Sequence, residues 1–390
     1  MKRLPLHVLL ALLGLGLAGC PTADDDDDSA ADDDDSAGDD DDSVGDDDDD
    51  DDWYAVVTHA AFGGDATVAT IEGGDRTVDD DLLGLAGSDW VLAVADGDPW
   101  VIGRFFIDTV RRYEGLDFSA PSLEFSTGAG TNPQDLAVCG GRLFVTRYDL
   151  NDTQDAGGDV GIFDLATGGP LGAVDLSAYN PHADGTPEPA AIVAVGDTVY
   201  TVLQKFDRDN GWAADPAGTL LAIDCATGTV TDDWAVGSNP RLSPVQGEPT
   251  KLQIRHAAGV SMFDTVSEQL DEVVVTSDLG ANYETLALAV SGDHAILVAE
   301  VDFADNEVWC LDLVAGTDTL LTTVPHRNYG AFAAPDGTVW SLWRDHWATD
   351  MAVEDGGVTV YDPVSCTEVT STWMSFASDP SALTFYEATE

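Results

Sequence analysis

The chain's 390 residues carry 73 acidic against 15 basic side chains, a formal charge of −58. That excludes duplex nucleic acid as a partner, because phosphate binding needs clustered Lys and Arg. Hydrophobic residues make up 44%, and 39 Gly and 17 Pro punctuate the β-branched runs, which excludes a disordered chain, argues against a helical bundle and predicts an all-β protein.

In chain order, the first element is a short positive region, Lys2 and Arg3. An uncharged run of 11 residues from Val8 to Ala18 follows and ends at Leu17-Ala18-Gly19-Cys20. A membrane-crossing helix needs about 20 apolar residues, so this run is too short and too glycine-rich to span. The segment resembles a bacterial lipoprotein signal peptide. That resemblance implies recognition of Leu17, Ala18 and Gly19 by the signal peptidase, cleavage before Cys20, and acylation of the cysteine, whose chains together anchor stably. Pro21 stands where an Asp would mark inner-membrane retention, so the resemblance implies an outer-membrane lipoprotein, inside the envelope or on the cell surface. An ordinary secretory signal with a chance cysteine is the plainer alternative.

From Pro21 to Asp52 the composition changes. Residues 25–45 repeat DDDDSAA, DDDDSAG and DDDDSVG, and residues 46–52 are all Asp. A heptad makes a coiled coil only with two apolar positions, which are missing here. Twenty Asp and no basic residue predict a self-repelling, extended tether able to reach on the order of 100 Å at ~3.3 Å per residue. A calcium-collecting tract or a surface-export signal is the sharper alternative, but a flexible polyaspartate lacks the preorganised oxygen cage that calcium affinity needs.

Residues 53–390 still carry −40, a surface charge that resists aggregation when salt screens its repulsion. Two strand patterns alternate through this region. One is an apolar stretch, a Gly or Asp turn and a second β-branched stretch, as in residues 136–146, 192–201, 286–298 and 332–340; it reads as an inner hairpin. The other is an apolar strand ending in Asp and then a short turn, as in residues 161–168, 221–228, 308–316 and 358–366; it marks an outer hairpin. Each pair makes a four-stranded propeller blade. Inner hairpins start near Leu82, Pro133, Glu188, Pro249, Thr285, Tyr329 and Ser381, which predicts a seven-bladed β-propeller of about 48 residues per blade. Only one strand follows Ser381, and residues 53–72 supply strands without an inner hairpin. The two chain ends are therefore expected to share a blade and close the ring. Six or eight blades are the alternatives, with a pair of β-sandwiches as the outside one.

Asn132-Pro133-Gln134-Asp135-Leu136-Ala137-Val138, then Leu143-Phe144-Val145-Thr146 and Phe163-Asp164-Leu165-Ala166-Thr167-Gly168, resemble the YVTN or YncE-like β-propeller repeats, in particular the surface lipoproteins of that class. The likeness is good over most of residues 82–230 and loose elsewhere. It implies the fold more than an activity, because such propellers include binding proteins, lactonases and quinoproteins.

The enzyme alternatives lack their motifs. Asp232 stands where a quinoprotein repeat has Trp, and no vicinal cysteine pair exists. There is no His-Glu-x-x-His helix, Gly-x-Ser-x-Gly elbow or phosphate loop. A metal lactonase needs Glu, Asp and Asn converging on the channel from several blades. Glu188, Glu248, Glu284 and Glu300 lie near blade starts and are the candidates, although acidic residues are common enough here to land there by chance. His59, His182, His256, His294, His326 and His346 show no metal-ligand pairing and read as polar loop residues. The loops 149–155 and 207–211 fail the EF-hand spacing, so no cofactor is expected beyond a weak Ca²⁺ ion. Cys139, Cys225, Cys310 and Cys366 allow three disulfide pairings, and unpaired thiols are as acceptable. Trp340, Trp343 and Trp347, with Arg344 and Asp345, could form a sugar or peptide platform, but propeller tryptophans more often wedge between blades.

The resulting expectation is a monomeric, lipid-anchored envelope propeller that binds or scaffolds an envelope protein or glycan, touches the membrane through its anchor and binds no nucleic acid. A metal-dependent hydrolase of the lactonase kind is the alternative.

Overall fold

The computed structural model describes residues 53–61, 63–148, 158–275, 284–300, 305–344 and 356–388. The signal, the Asp-rich tract, the loop at 149–155, and Asp345, His346 and Trp347 lie outside the described residues.

Seven antiparallel blades form a closed ring. Blade 1 joins the first three strands, Trp53–Ala60, Ala66–Glu72 and Val78–Leu85, to the last, Pro380–Glu387, which is its inner strand. Blades 2 to 7 open on inner strands Trp90–Ala95, Pro133–Cys139, Pro189–Val195, Arg241–Val245, Glu284–Ser291 and Arg327–Ala333. Each inner strand touches the next all the way round. All seven begin at one end of the channel, here called the mouth, and the second strand of each blade runs back toward it.

Packing follows from the two-residue period of strands, which sends alternate side chains into opposite interfaces. In Trp53–Ala60, Ala55 and Val57 pack toward blade 7 while Val56 and Ala60 pack toward blade 2. Seven apolar clusters result, one per blade-to-blade interface. Trp340 and Trp343 are both 0% exposed and wedge between blades, Trp340 against blade 1 and Trp343 against blade 6.

The outer hairpins carry a repeated device. Asp164, Asp224, Asp264, Asp312 and Asp362 each end a third strand and accept backbone N–H groups two or three residues ahead. Such Asx turns give the chain a hydrogen-bonded corner that only a short acceptor side chain can make. For Asp164 and Asp224 the bonds from Thr167 and Thr227 hold the carboxyl below its ordinary range.

Two expected blade starts shift. Leu82 belongs to the outermost strand of blade 1, and Pro249 to the second strand of blade 5. The true inner strand of blade 5, Arg-Leu-Ser-Pro-Val, contains Pro244, which demotes a run in a sequence reading. The innermost strand of a blade is an edge along the channel, so it can lack a donor there.

The cysteines pair as Cys139–Cys225 and Cys310–Cys366, with Cα separations of 5.7 and 5.6 Å. Each bridge links neighbouring blades, 3 to 4 and 6 to 7, near the end opposite the mouth.

Candidate ligand site at the channel mouth

The channel encloses about 600 Å³. Its walls are mainly Ala, Val, Leu and Ile, and Asp96, Asp135 and Glu387 are its titratable lining residues among those described. Both Asp135 oxygens accept backbone N–H groups, from Leu136 and Ile192. Burial nevertheless pushes its carboxyl up to about 7.

The carboxylates expected to converge do not. Glu188 is fully buried and gives both oxygens to Arg208 Nε (2.7 Å) and the Phe206 N–H (2.9 Å). Burial still pushes it up to about 7, outweighing the Arg208 charge. Glu248 lies at the far end, 3.4 Å from Lys251, and Glu284 is a register neighbour of Glu300 within blade 6. Among the described residues, His59, Asp80 and Asp81 are the group that brings three ligand-type atoms within 4.8 Å. Both His59 nitrogens already bond, to Asp80 and to Ser378. The histidines are also more enclosed than loop polarity suggests: His59 is 1% exposed, and buried His256 bonds Ser261. Asp207 of the 207–211 loop caps its own short turn by accepting from the Asn210 N–H.

The mouth instead gathers cations. Arg104, Arg147, Lys205, Arg208, Arg241, Arg255, Arg327 and Arg344 lie where inner strands start or second strands end, eight of the thirteen basic residues in 53–390. Some are neutralised locally: Arg104 by Asp89, Arg147 by Asp159, Arg208 by Glu188 and Arg344 by Asp379 at 3.8 Å. Arg241 forms no ion pair with any described carboxylate. Its side chain is exposed at the mouth, yet desolvation by the surrounding wall and then the Arg104 charge lower its guanidinium; desolvation with the Arg241 charge pushes half-buried Arg255 down to about 10. A guanidinium paired with no described carboxylate, set beside Arg104 and Arg255, is a preorganised seat for an anion, and guanidinium forks suit carboxylate or phosphate.

A hydrogen-bonded half-ring from blades 2 to 5 frames these arginines. Arg104 Nη1 donates to Gln134 Oε1 at 3.0 Å; Asn132 Oδ1 accepts from the Phe105 N–H and from Gln134 Nε2, each at 3.0 Å. Tyr148 Oη donates to Gln204 Oε1 at 2.7 Å, and Gln204 Nε2 donates to Asn239 Oδ1. Burial, reinforced by the Glu188 charge, raises the Tyr148 hydroxyl, so it stays a neutral donor.

The half-ring rests on backbone that L-residues seldom adopt. Asn132, Glu188 and Asn239 have φ of 49°, 50° and 52°, and each precedes the proline that leads into an inner strand: Pro133, Pro189 and Pro240. Such conformations cost of order 1–3 kcal/mol each and cluster at functional sites. Asp108 holds the first in place by accepting the Asn132 N–H at 2.8 Å. Sequence reading reached Glu188 and the Asn132-Pro133 motif but missed Arg104, Tyr148, Gln204, Arg241 and Arg255. The signals that could have found them are the X-Pro dipeptides at inner-strand starts and the scarcity of cations.

A pH effect follows. Asp135 and Glu188 keep their protons to about pH 7 when folded and release them near 4 when unfolded, so stability is expected to fall as pH rises from 4 to 7. In 0.5 M NaCl, where general repulsion is screened, the melting midpoint should be about 5 °C higher at pH 5.5 than at pH 7.5. Asp135→Asn should remove part of that slope; a flat wild-type profile would contradict the burial argument.

No protein-family model matches the sequence, and no curated protein matches it. By structure, the chain is similar to a periplasmic gluconolactonase of Pseudomonas aeruginosa (TM-score 0.60, 14% identity, 86% of this chain and 99% of that one). It is also similar to a candidate 6-phosphogluconolactonase of Bacteroides fragilis (TM-score 0.57, 13% identity, 86% and 98%) and to the β-propeller domain of Cps50 from Myceliophteria thermophila (TM-score 0.55, 11% identity, 79% and 97%). Fold and comparisons together define the class, a seven-bladed β-propeller.

Proposed function

We propose that this propeller is a lipid-anchored envelope module that binds a small organic anion of the sugar-acid kind at its channel mouth. The observation that carries the reading is the gathering of scarce cations there, with Arg241 paired to no described carboxylate, in a domain whose overall charge is −40. Carboxylates at the mouth such as Asp89, Asp159, Glu188 and Asp379 offset part of the cations' charge, so Arg241 is the seat on which the reading relies. Two disulfides suit an oxidising envelope, and no described helix is long and apolar enough to cross a membrane. The first described strand starts at Trp53, in register with Glu387 at the far end.

Thermal melts of the purified protein at constant ionic strength test the binding. Millimolar gluconate should raise the midpoint, sorbitol should not, and Arg241→Gln should abolish the shift. No gluconate shift, or one that survives Arg241→Gln, overturns the reading. The anchor has a separate test: Cys20→Ser should leave the protein unprocessed or soluble, and continued membrane fractionation at the normal mature mass would refute it.

Lactone hydrolysis is the second reading, favoured by the two similar structures that bear lactonase names and by gluconate being the acid such a reaction releases. Acid release from glucono-δ-lactone above the spontaneous rate, lost in Arg241→Gln, would favour it. Glu188, with both oxygens already bonded, is poorly placed to act as its base.

A further inference from the structure

We infer that the anion taken at the mouth is part of an acidic glycan several sugar units long, a uronate-type chain. The inference rests on the anion-binding reading and adds to it the rings that surround the arginines. Among the exposed large apolar side chains, the aromatic ones are Phe105 (50%), Phe106 (66%), Trp212 (44%) and Tyr329 (42%). All four lie at the mouth: the two phenylalanines on the turn after the second strand of blade 2, Trp212 on the corresponding connection of blade 4, and Tyr329 at the start of the inner strand of blade 7. The other exposed large apolar residues, such as Leu171, Val266 and Val364, are aliphatic and sit on outer strands or far-end turns.

The rings are held out deliberately. Phe106 and Trp212 have φ of 65° and 64°, a conformation strained for bulky residues. The Arg208 guanidinium lies 5.0 Å from the Trp212 ring centroid, and Arg327 and Arg344 lie 5.5 and 4.6 Å from that of Tyr329, contacts that fix each ring while leaving it wet. Tyr329 is also bulged out of the ladder between Asn328 and Gly330. Rings spread over three separate blades, with Phe105 and Phe106 paired at 4.4 Å, do not make the contiguous apolar patch that a protein partner wants. They suit a chain of ring-shaped units whose flat C–H faces stack on aromatics while carboxylates meet Arg241 and its neighbours. Linking several such weak subsites multiplies affinity without new contacts at any one of them.

Calorimetric titration of the full-length protein at fixed ionic strength tests this with tetragalacturonate, free galacturonate, maltotetraose and a tetra-aspartate peptide. Tetragalacturonate should bind at least tenfold tighter than galacturonate, and maltotetraose and tetra-aspartate should bind much more weakly. Trp212→Ala and Tyr329→Ala, both at exposed positions, should each weaken the tetrasaccharide by about five- to twentyfold and leave galacturonate unchanged, whereas Arg241→Gln should weaken both sugars. Equal affinity for monomer and tetramer overturns the glycan inference and leaves anion binding standing. So does tetra-aspartate binding as tightly as the tetrasaccharide, because charge alone would then explain the affinity. Failure of both acidic sugars to bind overturns the two readings together.

Discussion

Deleting residues 380–390 is expected to leave a chain without a cooperative unfolding transition. Pro380–Glu387 is the inner strand of blade 1, paired with Trp53–Ala60 from Trp53↔Glu387 through His59↔Pro380, and it also contacts the inner strands of blades 2 and 7. Its Leu383 and Tyr386 are buried, and Phe385 meets Trp53 and Trp340 edge-on at centroid distances of 5.5 and 5.7 Å. Removing the strand strips one wall from two interfaces and bares a strand edge in blade 1. Burial of each large side chain is worth about 1.5–3 kcal/mol, so the loss approaches the whole stability of a typical domain, about 5–15 kcal/mol. Near-UV circular dichroism and denaturant titration would show it. A truncated protein with a sharp transition at the original midpoint would mean that the ring does not depend on this closure.

Breaking the disulfides should have the next largest effect. The bridges span sequence separations of 86 and 56 residues, and chain-entropy arguments assign each roughly 4 kcal/mol. Cys139→Ala with Cys225→Ala is expected to lower the melting midpoint by about 10 °C, and Cys310→Ala with Cys366→Ala by a similar amount. Reductant should destabilise the wild type by about as much as both pairs of substitutions together. If four thiols titrate as free while the midpoint stays unchanged, the bridges contribute nothing. Since both bridges lie near the far end, neither double variant should alter gluconate binding at temperatures where it is folded.

Much of the fold was legible because it rests on local rules repeated along the chain. The alternating inner and outer patterns, the strand-ending aspartates and the Gly turns are short-range signals, and they foretold the ring, its seven blades and the shared closing blade. The failures have equally local causes. Pro244 masked the inner strand of blade 5, and the apolar run at Leu82 lacked any mark distinguishing an outermost strand from an innermost one. The two tryptophans Trp340 and Trp343 were read correctly as wedges because their size and strand position leave few other places for them.

The site was legible only in part. Composition by itself determined that cations are scarce, from which the expectation of no duplex nucleic acid partner was drawn. It could not place Arg104 of blade 2 beside Arg241 and Arg255, register partners in blade 5, because Arg104 is far from both in sequence. Nor could it choose among three cysteine pairings, since that choice depends on which blades are neighbours. Closure of the ring decided both. It brings strand starts and strand ends from every blade to one mouth, where charges that are unremarkable in sequence stand close enough to repel one another and to favour an anion.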